Sequence, residues 1–274
     1  MPGCARYLEH AFGCLQRAWK VVPAIVYNGG STRPVANRSM SSPFWQQQIY
    51  RLVAFGCGVF VVLTVLAMIV YPGGLFSGEL TQSYDFFRNF FSDLGRIKAV
   101  SGESNLPSAI LFIAALSIAG TGLICFFIAF RSFFTSDQNG RRWSLAGTVI
   151  GVVSGACFIG IALAPYDLFF QPHYEFVMWA FRTFLLAVGI YAYVIFRQKH
   201  YPRSYGWVFV AFAFLLAAYL GLLTYGPNAV TPTGLVIQAT GQKIIVYVSI
   251  LSVMTQSLLA HRFRISQQGP QRLS

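Results

Sequence analysis

The sequence predicts an all-α protein: a bundle of six transmembrane helices with both termini cytoplasmic, an N-terminal interfacial amphipathic helix and a short helix on the outer surface. Three observations predict it. Hydrophobic residues make up 55% of the 274 residues and charged ones only 10%, the balance of a polytopic membrane protein. Apolar runs recur at about 20 residues, the length that crosses about 30 Å of hydrocarbon. Lys and Arg gather in alternate connections. Lipid offers backbone N–H and C=O groups no partner, so the spans must be helical.

The elements follow in order. Residues 1–49 form a cytoplasmic tail. Within it CARYLEHAFGCLQRAWKVV places Leu8, Phe12, Leu15, Trp19 and Val22 opposite Arg6, Glu9, Arg17 and Lys20, an amphipathic stripe suited to the inner membrane surface. Cys4 and Cys14 are candidate acylation sites or simple packing residues, and the cytoplasmic Asn37 sequon is not expected to be glycosylated. The transmembrane domain covers 50–261, with spans at 51–71, 107–130, 144–164, 174–196, 206–226 and 235–260. YPGG, APYD and YGPN end the first, third and fifth spans, because Pro and Gly stop helices and turn the chain. Residues 262–274 are a basic tail.

Orientation follows from counting. Fifteen of the 20 Lys and Arg residues fall in the N-terminal stretch up to Arg51, the second and fourth connections and the C-terminal tail; the other side holds Arg88, Arg96 and Lys98. The positive-inside rule therefore places both termini in the cytoplasm, and a plasma (inner) membrane suits a chain without outer-loop cysteines. The formal charge of +12 is thereby explained without a nucleic-acid partner. Cys57, Cys125 and Cys157 lie in apolar segments, and neither they nor His10, His173, His200 and His261 have metal-ligand spacing. No metal or cofactor is expected. In the third span Gly147, Gly151 and Gly155 recur every four residues, a spacing that lets a neighbouring backbone approach.

The long outer loop, 72–106, contains SYDFFRNFFSDLG. Helical spacing puts Phe86, Phe87, Phe90, Phe91 and Leu94 on one side and Asp85, Arg88, Asn89 and Ser92 on the other, with Gly95 suited to the C-terminus. Two cations sit inside spans. Lys243 precedes His261 by about 27 Å of helix and Arg182 precedes Arg197 by about 22 Å, so both belong to the outer quarter of the membrane. A lysine there can snorkel to the headgroups; an arginine deeper down needs a partner, and Asp93, Asp167 and Glu175, beside His173, are the candidates. Gln238, Gln242, Ser249, Ser252 and Gln256 form a polar stripe facing the bundle interior. The expectation is an outward pocket with cations at its floor and carboxylates at its mouth: a structural lock if fully paired, an anion site for a lipid headgroup if not.

At these residues the sequence resembles the six-helix membrane proteins of the domain-of-unknown-function 998 group. The resemblance rests on Asn89, Ser92, Asp93, Leu94 and Gly95, on Asp167 and His173, and on Gln242 with Lys243, where the family pattern is Gln-Arg. It spans residues 50–260 and implies the six-helix fold and a shared outer polar cluster, but no activity. The SDLG loop and the NLPS entry to the second span are similar, more distantly, to the damage-regulated autophagy modulator class, whose members are regulatory.

The leading functional expectation is a non-enzymatic membrane protein that binds a lipid headgroup, small anion or partner through Arg182, Lys243, Gln242, Gln238, Asn89, Ser92, Asp93, Asp167, His173 and Glu175. A lipid hydrolase built on Ser92, Asp93 and His173 is the alternative. A small-solute transporter is the third reading, set against the lack of an acidic residue within the inner half of any span. Oligomeric state is not encoded in any pattern found.

Overall fold

A computed structural model describes residues 43–268, with side chains over 48–267. Six α-helices follow one another: α1 Pro43–Ile69, α2 Leu106–Phe130, α3 Gln138–Leu163, α4 Phe170–Arg197, α5 Arg203–Tyr225 and α6 Pro232–Gln268. All six are long and apolar enough to cross a membrane. The tail's amphipathic segment, Cys4, Cys14 and Asn37 lie outside the described residues.

Every helix begins before its predicted span, and α4 and α6 also run past its end; local chemistry explains several of these boundaries. Pro43 occupies the first position of α1, where a missing N–H costs nothing. Asp137 caps α3, its carboxylate accepting the Gly140 N–H at 3.0 Å. Thr231 does the same for α6, its hydroxyl accepting the Gly234 N–H at 3.1 Å. At its other end α6 continues to Gln268, through the first residues of the basic tail.

Each helix packs against its neighbours in sequence, and α6 returns to α1, closing a ring. The surface is inverted relative to a water-soluble bundle. Phe55, Ile69, Leu163, Trp207 and Phe214 are exposed, whereas Thr64, Thr148, Ser154 and Gln256 are buried, as a lipid environment demands. The buried hydroxyls join helices: Ser154 donates to the Ala180 carbonyl at 2.9 Å, and Thr148 meets the Tyr191 hydroxyl at 2.7 Å. Cys57, Cys125 and Cys157 are free thiols. The glycine series of α3 is a close-approach seam. A Cβ at Gly155 would stand 2.7 Å from the Gly120 carbonyl oxygen of α2, and one at Gly151 would enter the Phe127 ring.

The loop from 72 to 105 folds differently from the single amphipathic helix its spacing predicts. It makes a turn at 86–88, breaks at Phe90 in extended geometry and resumes as a five-residue 3-10 helix, Phe91–Gly95. Side chains take the N–H groups a helix would need: Asp85 Oδ1 accepts from Phe87 and Arg88, Asn89 Oδ1 from Asp85, and Asp93 Oδ2 from Phe90. Such local competition is why Asn and Asp disrupt helix interiors. The predicted apolar side is also divided. Phe91 and Leu94 are buried but Phe86 and Phe87 are exposed, and the polar Asn89 and Asp93 are buried as well.

Replacing Gly155 with Leu is expected to separate α2 from α3 and lower the thermal unfolding midpoint by several degrees, an overpacking cost of about 1–3 kcal/mol. Replacing Gly221, which has open space around it, with Leu is the control. Equal midpoints for the two variants, by tryptophan fluorescence in micelles, would show the seam carries no packing constraint.

Candidate functional site: an anchored loop and the pocket beside it

Lys243 lies on α6 and is fully buried. Its ammonium donates to the Asn89 carbonyl in the loop and to the Ala239 carbonyl one turn back at 2.9 Å. Two rings face it, Phe86 at 5.4 Å and Tyr84 at 5.6 Å from their centroids, supplying electron-rich faces where water is excluded. Its neighbour Gln242 accepts the Phe91 N–H at 2.7 Å. Consecutive side chains of α6 thus hold the loop at two points.

The loop holds itself by the same means. Gly73 and Gly74 adopt φ of 109° and 88°, a region that disfavours side chains, and so turn the Gly74 carbonyl toward the Asn89 amide, 2.8 Å away. That amide also donates to Asp93 at 3.0 Å. At the entry to α2 the buried Asn105 amide donates to the Arg96 carbonyl at 2.8 Å and the Leu94 carbonyl at 3.2 Å, and the Ser108 hydroxyl reaches the same Leu94 oxygen. From the α3–α4 turn, Asp167 accepts the N–H groups of Ile97 and Lys98 at 3.0 Å. Phe91 plugs the bundle below, its ring against Phe60, Phe112 and Tyr247.

Beside this plug opens a pocket of 460 Å³ between the 3-10 helix, the start of α4, the end of α5 and the start of α6. Its polar lining includes Ser92, Asp93, His173, Gln238 and Gln242, and its aromatic lining Phe90, Tyr166, Phe170, Tyr174 and Tyr219. His173 Nδ1 lies 2.7 Å from the Ala164 carbonyl. A carbonyl only accepts, so that nitrogen carries the proton and Nε2 keeps its lone pair. Asp93 is 1% exposed, and within the described residues only its Oδ2 accepts hydrogen bonds. Burial pushes its carboxyl above the usual carboxylate range, against the Asn89 amide, Arg96, the Phe90 N–H and Lys243, which hold it down.

Of the ten predicted site residues, the structure brings Ser92, Asp93, His173, Gln238 and Gln242 to this pocket. Asn89 and Lys243 lie behind it, in the anchor. Three others go elsewhere. Asp167 is used in capping the loop, Glu175 is exposed and accepts from Gln171 at 3.1 Å, and Arg182 is exposed on the outside of α4. The expected pairing of an intramembrane cation with a carboxylate is therefore corrected. Among the described residues the ion pairs are Arg88 with Glu79 and with Asp85, and Lys243 is satisfied by backbone carbonyls and rings. The pocket lining carries the Asp93 carboxylate and none of the expected cations.

A family model described as a protein of unknown function (DUF998) matches residues 54–254. The chain belongs to the DUF998 family. Neither curated proteins nor solved structures give a match. The matched region contains the whole loop, its α6 anchor and every side chain that lines the pocket.

Sequence reasoning missed Asn105 and Ser108 as loop clamps, although Asn-Leu-Pro-Ser at a helix start is a capping signal. It also missed Tyr84 and Phe86 as the rings over Lys243.

Lys243→Met should release the loop, speeding amide hydrogen exchange over residues 84–96 at least tenfold, as expected for losing a charged hydrogen bond worth about 1.5–3 kcal/mol. Lys243→Arg should retain most of the protection. Equal exchange in Lys243→Met and the parent protein would show that the lysine does not hold the loop.

Proposed function

We propose that this is a plasma-membrane protein with both termini cytoplasmic, and that the pocket binds the polar head of an amphiphile from the outer leaflet. Phe170 and Tyr174 at the pocket wall are also exposed on the bundle surface, which supports entry from the membrane. The acceptors among its lining residues include the Asp93 carboxylate, His173 Nε2 and aromatic faces. Such a set favours a head that brings hydrogen-bond donors or an ammonium over a bare phosphate.

The observation that carries this reading is Asp93, a carboxylate held at the pocket edge with one oxygen still without a hydrogen bond. Phosphatidylethanolamine should therefore remain bound to the full-length protein in native mass spectrometry under conditions that strip phosphatidic acid. Asp93→Asn should lower that retention about tenfold, the worth of one charge-assisted hydrogen bond. The sign with pH is fixed: binding needs the ionised carboxyl, whose affinity for protons burial has raised, so retention falls on acidification sooner than it would for an ordinary aspartate. Equal retention of the two lipids would reject the assignment.

A hydrolytic reading gains from one observation: Ser92 and His173 line the same pocket, and a histidine whose Nε2 keeps its lone pair is chemically able to act as a base. A fluorophosphonate probe should then label Ser92, and His173→Gln should abolish labelling. Unlabelled Ser92 in folded protein would end this reading and leave the binding one intact.

A further inference from the structure

The opposite end of the bundle holds a second polar recess, of 480 Å³, between the start of α3 and the end of α4. Arg197, Lys199 and His200 line it with Asn139, Trp143 and Tyr193, and over the α4–α5 turn it adjoins an open basin to which Arg203 contributes. Positive charge dominates here. The one carboxylate in the lining, Asp137, accepts from the Gly140 N–H and the Gln198 amide, and among the described residues no carboxylate forms an ion pair with Arg197, Lys199 or Arg203.

The apolar half of the recess is as telling as the charged half. Trp143 and Tyr193 meet edge to face at 5.5 Å, each 47% exposed, and the Arg197 guanidinium stands 5.9 Å from the Tyr193 ring centre. Amphipathic rings of this kind belong at the level where hydrocarbon gives way to headgroups. Cations just beyond them are placed where a phosphate sits when its apolar part lies along the rings.

We propose that this recess binds a phosphate-bearing group with no compensating cation of its own, with Arg197 and Lys199 as its ligands and Trp143 and Tyr193 seating the part of the molecule that follows. The arginine supplies a planar fork of donors and the lysine a mobile point charge. An acidic phospholipid and a soluble phosphate ester share this chemistry. The site is independent of the pocket at the loop end.

The test uses the full-length protein in micelles, followed by native mass spectrometry with added phosphatidylglycerol, phosphatidylcholine or glycerol 3-phosphate. Phosphatidylglycerol should be retained at least fivefold more than phosphatidylcholine. The double variant Arg197→Gln, Lys199→Gln should lose that preference, while Arg142→Gln, an exposed cation of α3 outside the recess, should keep it. Displacement by millimolar glycerol 3-phosphate would identify a soluble ester as the occupant, and resistance to it a lipid; either supports the site. Equal retention of both lipids overturns the proposal, as does an equal loss in Arg142→Gln, which would reveal diffuse surface charge only. Lys199 is exposed, so Lys199→Gln alone, with a twofold or greater loss expected, serves if the double variant does not fold; no loss there overturns the proposal too.

Discussion

The loop end of this protein depends on one buried ammonium. Lys243 gives up water entirely, and a charge so placed must find substitute dipoles or cost several kcal/mol. The Asn89 and Ala239 carbonyls and two aromatic faces provide them. Asn89 then passes the constraint on: its carbonyl accepts from Lys243, while its side-chain amide donates to Gly74 and Asp93. A single residue thus ties α6, the glycine turn after α1 and the acidic wall of the pocket into one network, in which each bond strengthens its neighbours.

The spans were legible because lipid leaves the backbone no alternative to helix, so hydrophobicity and length alone locate them. Their ends were less legible, since Pro43, Asp137 and Thr231 act through local hydrogen bonds and backbone geometry that hydrophobicity does not report. Lys243 announced itself as an anomaly, but its partner did not. A search for counter-charges finds carboxylates, whereas the partner is a backbone carbonyl, which every residue possesses and no sequence marks. Arg182 shows a different gap. Counting residues gave its height in the membrane but not the direction it faces, and on α4 the exposed residues Trp179, Arg182, Leu186, Gly189 and Tyr193 form one narrow stripe three and four apart, the periodicity of a single helix face.

The loop illustrates a conflict between two local rules. Phenylalanines at 86, 87, 90 and 91 repeat as an amphipathic helix would, yet Asp85, Asn89 and Asp93 recur every four residues and can each accept an N–H from nearby backbone. The side chains prevailed because the interior they face already holds Lys243 and the Gly74 carbonyl, groups that need polar company. Hydrophobic periodicity locates a face only when the other face meets water, and at this loop it does not.

Charge placement finally separates the two ends chemically. Lys243 could have neutralised Asp93 and left the pocket without character. Instead Asn89 stands between them, its carbonyl toward the ammonium and its amide toward the carboxylate. Asp93 keeps an oxygen for the pocket as a result. At the far end the arrangement is reversed, with Asp137 spent on its own helix cap and, among the described residues, Arg197 and Lys199 in no ion pair. The same residue types, paired or unpaired by backbone geometry, give one end a pocket with a carboxylate in its lining and the other a recess with Arg197 and Lys199 in its lining.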